Sequence, residues 1–222
     1  MSVALVKPRT KPQSVRREEL LRSAERLFIA RGAAATSIDD IAAGAEVAKG
    51  TFYLYFASKE AMVAALREEF VAVSCARIAA AVERCAPADW QGKLAAWVEA
   101  GVDSYLDRLR LHDALFHEAG LHRRRAGKGD NSIVRDLAAL LAAGNAAGAW
   151  SVEQPHVTAM LLYHALHGAV DQAIARHTEK ERENLVRILR DFFLRAVCVV
   201  ASVARRKNGC GKSTMEASLR GR

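Results

Sequence analysis

Proline is scarce in this 222-residue chain, with only four residues, and β-branched residues never alternate over the length of a strand. Both absences favour helix, as do the many alanines, leucines and arginines, and an all-α protein is expected. The four cysteines, Cys75, Cys85, Cys198 and Cys210, lie far apart and form no Cys-x-x-Cys pair. They read as small buried hydrophobes in a reducing compartment. No run reaches the roughly 18 apolar residues of a membrane span. The basic start of the chain, with Pro8 and Pro12, also lacks the apolar stretch of a secretion signal. A cytoplasmic protein with no membrane partner is expected.

What is present in excess is positive charge. A formal charge of +8 and an isoelectric point near 9.6 point to a polyanionic partner, because neutralising phosphates releases their counterions. Charge does not by itself decide the matter. A hydrophobic fraction of 51% with 26% charged residues is ordinary for a globular protein with a real core.

Residues 1–15 place Lys7, Arg9 and Lys11 between prolines, which predicts a mobile basic arm. Helical periodicity then begins at Arg16, with Leu20, Ala24, Leu27 and Phe28 on one face and Gly32 as the stop. Thr36 and Ser37 offer capping hydroxyls, with Asp39 and Asp40 three residues after each, so a second helix follows through Ile38, Ile41 and Ala42. Gly44 keeps it short, and Val47, Phe52 and Phe56 begin a third. Ser58 caps a fourth that runs toward Cys85 and Pro87. Further helices are expected at about 89–109, 112–121, 131–148, 155–177 and 180–205. The connector 122–130, with Arg123, Arg124 and Arg125, is the expected mobile loop, and residues 206–222 the expected disordered basic tail.

Two short helices around a tight turn, SIDDIAAGAEVAKGTFYLY, have the spacing of a helix-turn-helix. Ile38, Ile41, Ala42, Val47 and Phe52 would pack on the first helix. Ala48, Lys49, Gly50 and Thr51 would then face outward at the start of the helix that enters a major groove, with Lys49 reaching guanine or phosphate. Tyr53 and Tyr55 alternate with Phe52 and Phe56, and a phenol can donate to a phosphate without adding charge. Lys59 begins helix four, where backbone N–H groups add to an anion site. Arg16 and Arg17 can reach the flanking backbone or a minor groove. Thr36 and Ser37 complete the candidate DNA-contacting set.

At these residues the stretch TSIDDIAAGAEVAKGTFYLYFASKEAM resembles the DNA-binding head of TetR-family regulators, with the pattern in register from Arg16 to Leu66. The resemblance implies that Thr51, Tyr53 and Lys59 occupy DNA-contact positions and that Ala48, Lys49 and Gly50 line the start of the recognition helix. One departure stands out: the family usually has glycine in the inter-helix turn where this chain has Glu46. Either that turn carries strain of roughly 1 kcal/mol or Gly44 lets it take another path.

The reading that results is a head at 16–62 and a helical ligand-binding and dimerisation body at 63–205. The helices at 155–177 and 180–205 are the candidate four-helix homodimer interface. Met160, Leu161, Ala165, Leu166, Gly168 and Ala169 supply one face; Ile188, Leu189, Phe192, Phe193 and Val197 supply the other. A purely intramolecular core is the alternative. Trp97, Tyr105, Phe116, Trp150 and Tyr163 are available to line a largely apolar effector pocket, with His117 or His167 as polar anchors, although aromatic residues at helical spacing also serve as core.

The expected function is a homodimeric repressor that binds a palindromic double-stranded DNA operator and is released by a small-molecule effector. It is not expected to be an enzyme, and no cofactor is expected. A metal-responsive regulator is an alternative, because His164, His167 and Asp171 share a helical face and His112, His117 and His122 cluster, but no cysteine joins them at ligand spacing. The tail segment NGCGKST imitates the end of a P-loop, yet Arg206 stands where the motif needs its first glycine. A nucleotide- or metal-dependent enzyme and a sequence-indifferent architectural DNA binder are the readings from other classes.

Overall fold

The computed structural model describes residues 12–117 and 131–207, except the side chains of His117 and of residues 198–207. The expectations for residues 1–11, for the connector with His122 and Arg123–Arg125, for the tail beyond Lys207, and for the side chains of His117, Cys198 and Cys210 lie outside the described residues. All regular structure within them is helical. In chain order the helices are α1 (Gln13–Arg31), α2 (Ile38–Gly44), α3 (Lys49–Tyr53), α4 (Lys59–Glu83), α5 (Trp90–Leu106), α6 (Leu109–His112), α7 (Ser132–Ala146), α8 (Pro155–Ala175) and α9 (Arg182–Lys207). A π-helical turn, Asp113–His117, follows α6.

Packing divides the described residues into two compact units, 12–73 with 107–117 and 74–106 with 131–207. In the first unit, α1 starts directly after Pro12, whose fixed φ suits the beginning of a helix. Its Leu20, Leu21, Ala24 and Phe28 turn inward at helical spacing, and Gly32 closes it at φ 82° with its N–H donating to the Phe28 carbonyl at 2.8 Å. Ser37 begins α2 with a reciprocal cap. The Asp40 N–H donates to Ser37 Oγ at 3.1 Å, and the Ser37 N–H donates to Asp40 Oδ2 at 2.9 Å.

The turn into α3 is reversed at Glu46, which sits at φ 56°. The Glu46 N–H donates to Ala43 O and the Val47 N–H to Ala42 O, both at 3.0 Å, the hydrogen bonds of a Schellman motif. The strain therefore resides at Glu46, and Gly44 has a different duty. A Cβ there would lie 2.4 Å from Ser23 Oγ, the hydroxyl that donates to the Ile41 carbonyl at 2.9 Å and ties α1 to α2.

Ser58 Oγ accepts the Ala61 N–H at 3.2 Å at the start of α4, whose Met62, Val63, Leu66 and Phe70 complete the core with Phe28, Ile41 and Phe52. Burying Phe28 and Phe52 stabilises this unit by about 1.5–3 kcal/mol each. Residues 107–117 join the same core through Leu111, Ala114 and Leu115. The helix expected from 112 is instead the π turn, in which Arg67 Nε donates to the Leu115 carbonyl at 2.7 Å and the Arg67 guanidinium lies 5.3 Å from the Phe116 ring.

The second unit packs α5, α7, α8 and α9 around Leu94, Trp97, Val98, Leu137, Leu141, Leu166 and Phe193. Trp150 Nε1 donates to Leu141 O at 2.8 Å, and Asn145 exchanges hydrogen bonds with the Val152 backbone at 2.7 and 2.8 Å, which fixes the α7–α8 connection. Leu189, Phe193 and Val197 of α9 face this core, whereas Ile188 and Phe192 are exposed. On α8, Leu162 and Leu166 are inward, and Val157, Met160 and Leu161 are exposed.

Candidate nucleic-acid interface

α3 is held by one ring. Phe52 is fully buried, with Tyr53 edge-on at 5.4 Å and Phe56 at 5.7 Å. With that residue inward, Ala48, Lys49 and Gly50 are exposed, Thr51 is half-buried, and Tyr53 keeps 52% of its surface. A Cβ on Gly50 would meet nothing within 4 Å, so internal packing does not require this glycine. Its smallness opens the outer surface. Tyr55 is half-buried against the core.

Leu54, 74% exposed, was not singled out from the sequence. The available signal was a large apolar residue next to Tyr53 that fits no inward position.

The polar candidates around α3 are already engaged. Lys49 Nζ donates to Asp39 Oδ2 at 2.9 Å between two exposed side chains, and this hydrogen bond, with the attached charge, raises the lysine's pKa. Ser37 Oγ donates to Asp40 Oδ2 at 2.6 Å while serving as the cap, and Arg31 pairs with the same oxygen at 2.7 Å. The Ser37 hydrogen bonds, then Arg31, hold the Asp40 carboxyl well below the usual carboxylate range.

One candidate is buried and another is half-buried on backbone carbonyls. Thr36 is 1% exposed and donates from Oγ1 to Gly32 O at 2.8 Å. Lys59 Nζ donates to Ala33 O at 2.8 Å and Thr36 O at 3.0 Å, so its ammonium braces the α1–α2 connection. Arg16 pairs with Glu19 at 3.0 Å, and the exposed Arg17 lies 5.3 Å from the Phe56 ring centroid.

The effector candidates fall in three places. Trp97 forms part of the wall of a cavity of about 200 Å³ in the second unit, with Ile78, Val82, Ile133 and Leu140 as apolar neighbours and Cys75, Glu83 and Asp136 as polar groups. The Trp97 indole N–H is buried and meets no acceptor among the described residues. Burial and the nearby Asp136 push the Cys75 thiol up. Tyr105, Tyr163 and His167 form one aromatic group, with ring centroids 5.2 and 4.0 Å from His167, and the Tyr105 hydroxyl donates to Asp171. Trp150 is buried beside Trp90 at 6.3 Å. Phe116 belongs to the first unit, 5.7 Å from Phe70 and 4.9 Å from His112. Among the described residues no three His, Cys, Asp or Glu side chains are grouped to hold a metal ion, and no helix is long and apolar enough to cross a membrane.

Comparison with known proteins matches residues 20–66 to the model of bacterial regulatory proteins of the tetR family, and residues 89–195 to that of the tetracyclin repressor-like C-terminal domain. The chain is 48% identical over 56 residues to KstR2, an HTH-type transcriptional repressor of Mycobacterium tuberculosis, covering 25% of this chain and 28% of that one. It is 39% identical over 59 residues to YerO, an uncharacterized HTH-type transcriptional regulator of Bacillus subtilis, covering 27% and 20%. The matched stretch thus spans less than a third of these relatives' length. A TetR-family transcriptional regulator from Pectobacterium atrosepticum shares the fold at a TM-score of 0.65 and 23% identity, over 85% of this chain and 98% of that one.

Proposed function

This chain belongs to the TetR family of transcriptional regulators, and from that premise we propose that it is a homodimeric repressor that reads a palindromic operator and leaves it when a small molecule binds. The observation that carries the reading is the exposed stretch Ala48–Gly50 with Tyr53, held outward by the buried Phe52. Small residues admit the backbone to a major groove, Lys49 addresses base edges or phosphate, and the Tyr53 phenol addresses phosphate. Ser37, Thr51, Tyr55, Arg16 and Arg17 are secondary contacts in this proposal. Thr36 and Lys59 support it by fixing the α1–α2 connection.

Two further observations support the finer reading. Val157, Met160 and Leu161 on α8, with Ile188 and Phe192 on α9, are large exposed apolar side chains, suited to a symmetric four-helix contact with a second copy. The cavity beside Trp97 suits a compact, largely apolar effector, with Cys75, Glu83 and Asp136 as its polar neighbours. A ligand that prefers a conformation with wrongly spaced recognition helices would shift the population away from DNA. α4 runs unbroken from residues of the first unit into residues of the second and is the mechanical link in this proposal. Repression is the activity named for KstR2. Such a protein works where the chromosome is, in the cytoplasm.

Selection of bound fragments from genomic DNA tests the reading. A recovered two-fold symmetric site, lost in Lys49→Met with Tyr53→Ala, is expected; recovery of sequence-indifferent DNA would overturn it in favour of an architectural binder.

A further inference from the structure

Two carboxylates stand in the first turn of α2, and only one of them completes its cap. Asp40 completes the cap with Ser37 and takes Arg31. Asp39 has no part in the cap; its Oδ2 instead accepts from Lys49 Nζ at 2.9 Å, at the start of α3. The two side chains are 64% and 54% exposed, and an ion pair that open adds little to folding. Beside a polyanion such a carboxylate is unfavourable, so its presence next to the lysine of the candidate reading surface calls for a use at that surface.

We propose that Asp39 is a specificity-determining residue, holding Lys49 as half of a donor–acceptor couple that reads one G·C pair and resists phosphate. This rests on the DNA reading above. An ammonium has three donors. With one on Asp39, two remain for guanine N7 and O6, while the adjacent carboxylate can accept from the cytosine N4 amino group in the same major groove. A phosphate offers only acceptors and negative charge. For Lys49 to meet one, it must leave Asp39 or bring the carboxylate with it. The couple thus favours the base-reading arrangement and disfavours the sequence-indifferent one, which is specificity by repulsion as well as attraction.

The test uses the full chain and a random duplex library, with wild type, Asp39→Asn, Asp39→Glu and Lys49→Met. Selected and scrambled duplexes are then titrated over a salt series. Asp39→Asn is expected to bind scrambled DNA roughly two- to fivefold more tightly. Its salt dependence on scrambled DNA should steepen by about 0.9 in slope as Lys49 gains a phosphate. Its selected sites should lose the G·C preference at the position that Lys49→Met also loses, and Asp39→Glu should keep that preference. Thermal unfolding of Asp39→Asn should fall only slightly below wild type, because the cap belongs to Asp40 and an exposed carboxylate in the first turn adds little through the helix dipole. Asp39→Asn retaining both the slope and the base preference overturns the proposal, as does a Lys49-dependent position that is not G·C. A wild type that selects no site overturns the DNA reading itself, so the two failures are distinguishable.

Discussion

Replacing Glu46 by glycine should stabilise the protein although it deletes a side chain and adds no contact. Glu46 lies at φ 56°, where a residue with a Cβ is disfavoured by roughly 1–2 kcal/mol. Glycine removes that penalty but gives the unfolded chain more freedom, which returns about 0.5–1 kcal/mol. The net gain is then about 0.5–1 kcal/mol, and for a chain of this length it raises the melting temperature by roughly 1–4 °C. The hydrogen bonds from Glu46 N to Ala43 O and from Val47 N to Ala42 O are backbone bonds and persist.

His177 repeats the situation at the end of α8, at φ 57°, with Thr178 N donating to Ala173 O at 2.8 Å. His177→Gly should gain a similar amount. The two sites share no partner, so the double variant should gain the sum. Calorimetry of Glu46→Gly beside Glu46→Ala decides the cause. Alanine removes the charge and keeps the Cβ, so if it stabilises as much as glycine, electrostatics and not backbone strain is responsible and the reasoning is refuted.

Gly44→Ala should destabilise by about 1–3 kcal/mol, because its Cβ meets Ser23 Oγ at 2.4 Å; Ser23→Ala in the same chain should restore part of the loss in denaturant titration, and no rescue would mean the clash is not with that hydroxyl. The lowered pKa of Asp40 contributes stability above the unfolded carboxylate value, near about 3.9, and loses it as pH falls through the lower folded value. Melting followed below about pH 4 should therefore show an acid loss that Asp40→Asn lacks, and equal acid sensitivity would count against the capping network. Leu161→Glu with Phe192→Glu alters exposed side chains; sedimentation should shift from dimer to monomer with helicity retained, and an unchanged mass would remove α8 and α9 as the interface.

The signals that were legible in the chain were local ones. Gly32, Ser37 and Ser58 each mark a helix boundary by a hydrogen bond to a residue three or four positions away, and such pairs can be read from spacing alone. The turn at Glu46 was marked by the resemblance alone, which left open whether Glu46 or Gly44 carries it, and the structure places the positive φ at Glu46. What escaped the sequence depends on elements distant in the chain. Thr36 and Ser37 are adjacent hydroxyls with equal claims to the surface, yet one is buried on Gly32 O and the other caps α2. Lys59 looks like an anion contact until the Ala33 and Thr36 carbonyls are placed against it. Phe116, at helical spacing with no local mark, joins Phe70 in the first unit because residues 107–117 return to that core. The register between those segments is set by packing, and periodicity does not encode it.

The charge of the chain also changes meaning once partners are assigned. Residues 12–73 carry eight lysines and arginines against nine aspartates and glutamates, so the folded head is not where the net +8 resides. Each of those eight has an internal partner: Arg16 and Arg22 on glutamates, Arg31 and Lys49 on aspartates, Arg26, Lys59 and Arg67 on carbonyls, and Arg17 on the Phe56 ring. A head so balanced attracts a polyanion weakly through long-range charge. Residues 1–11, with Lys7, Arg9 and Lys11 and no acid, carry +3, and residues 74–222, with 22 lysines and arginines against 16 aspartates and glutamates, carry +6. The division of labour that follows is physical. In the proposed DNA reading, sequence-indifferent attraction and its salt dependence would scale with the cations outside residues 12–73, whereas discrimination would scale with what the head can hydrogen-bond, and a surface whose cations are each held by a partner suits the second task because it gains little from phosphate alone.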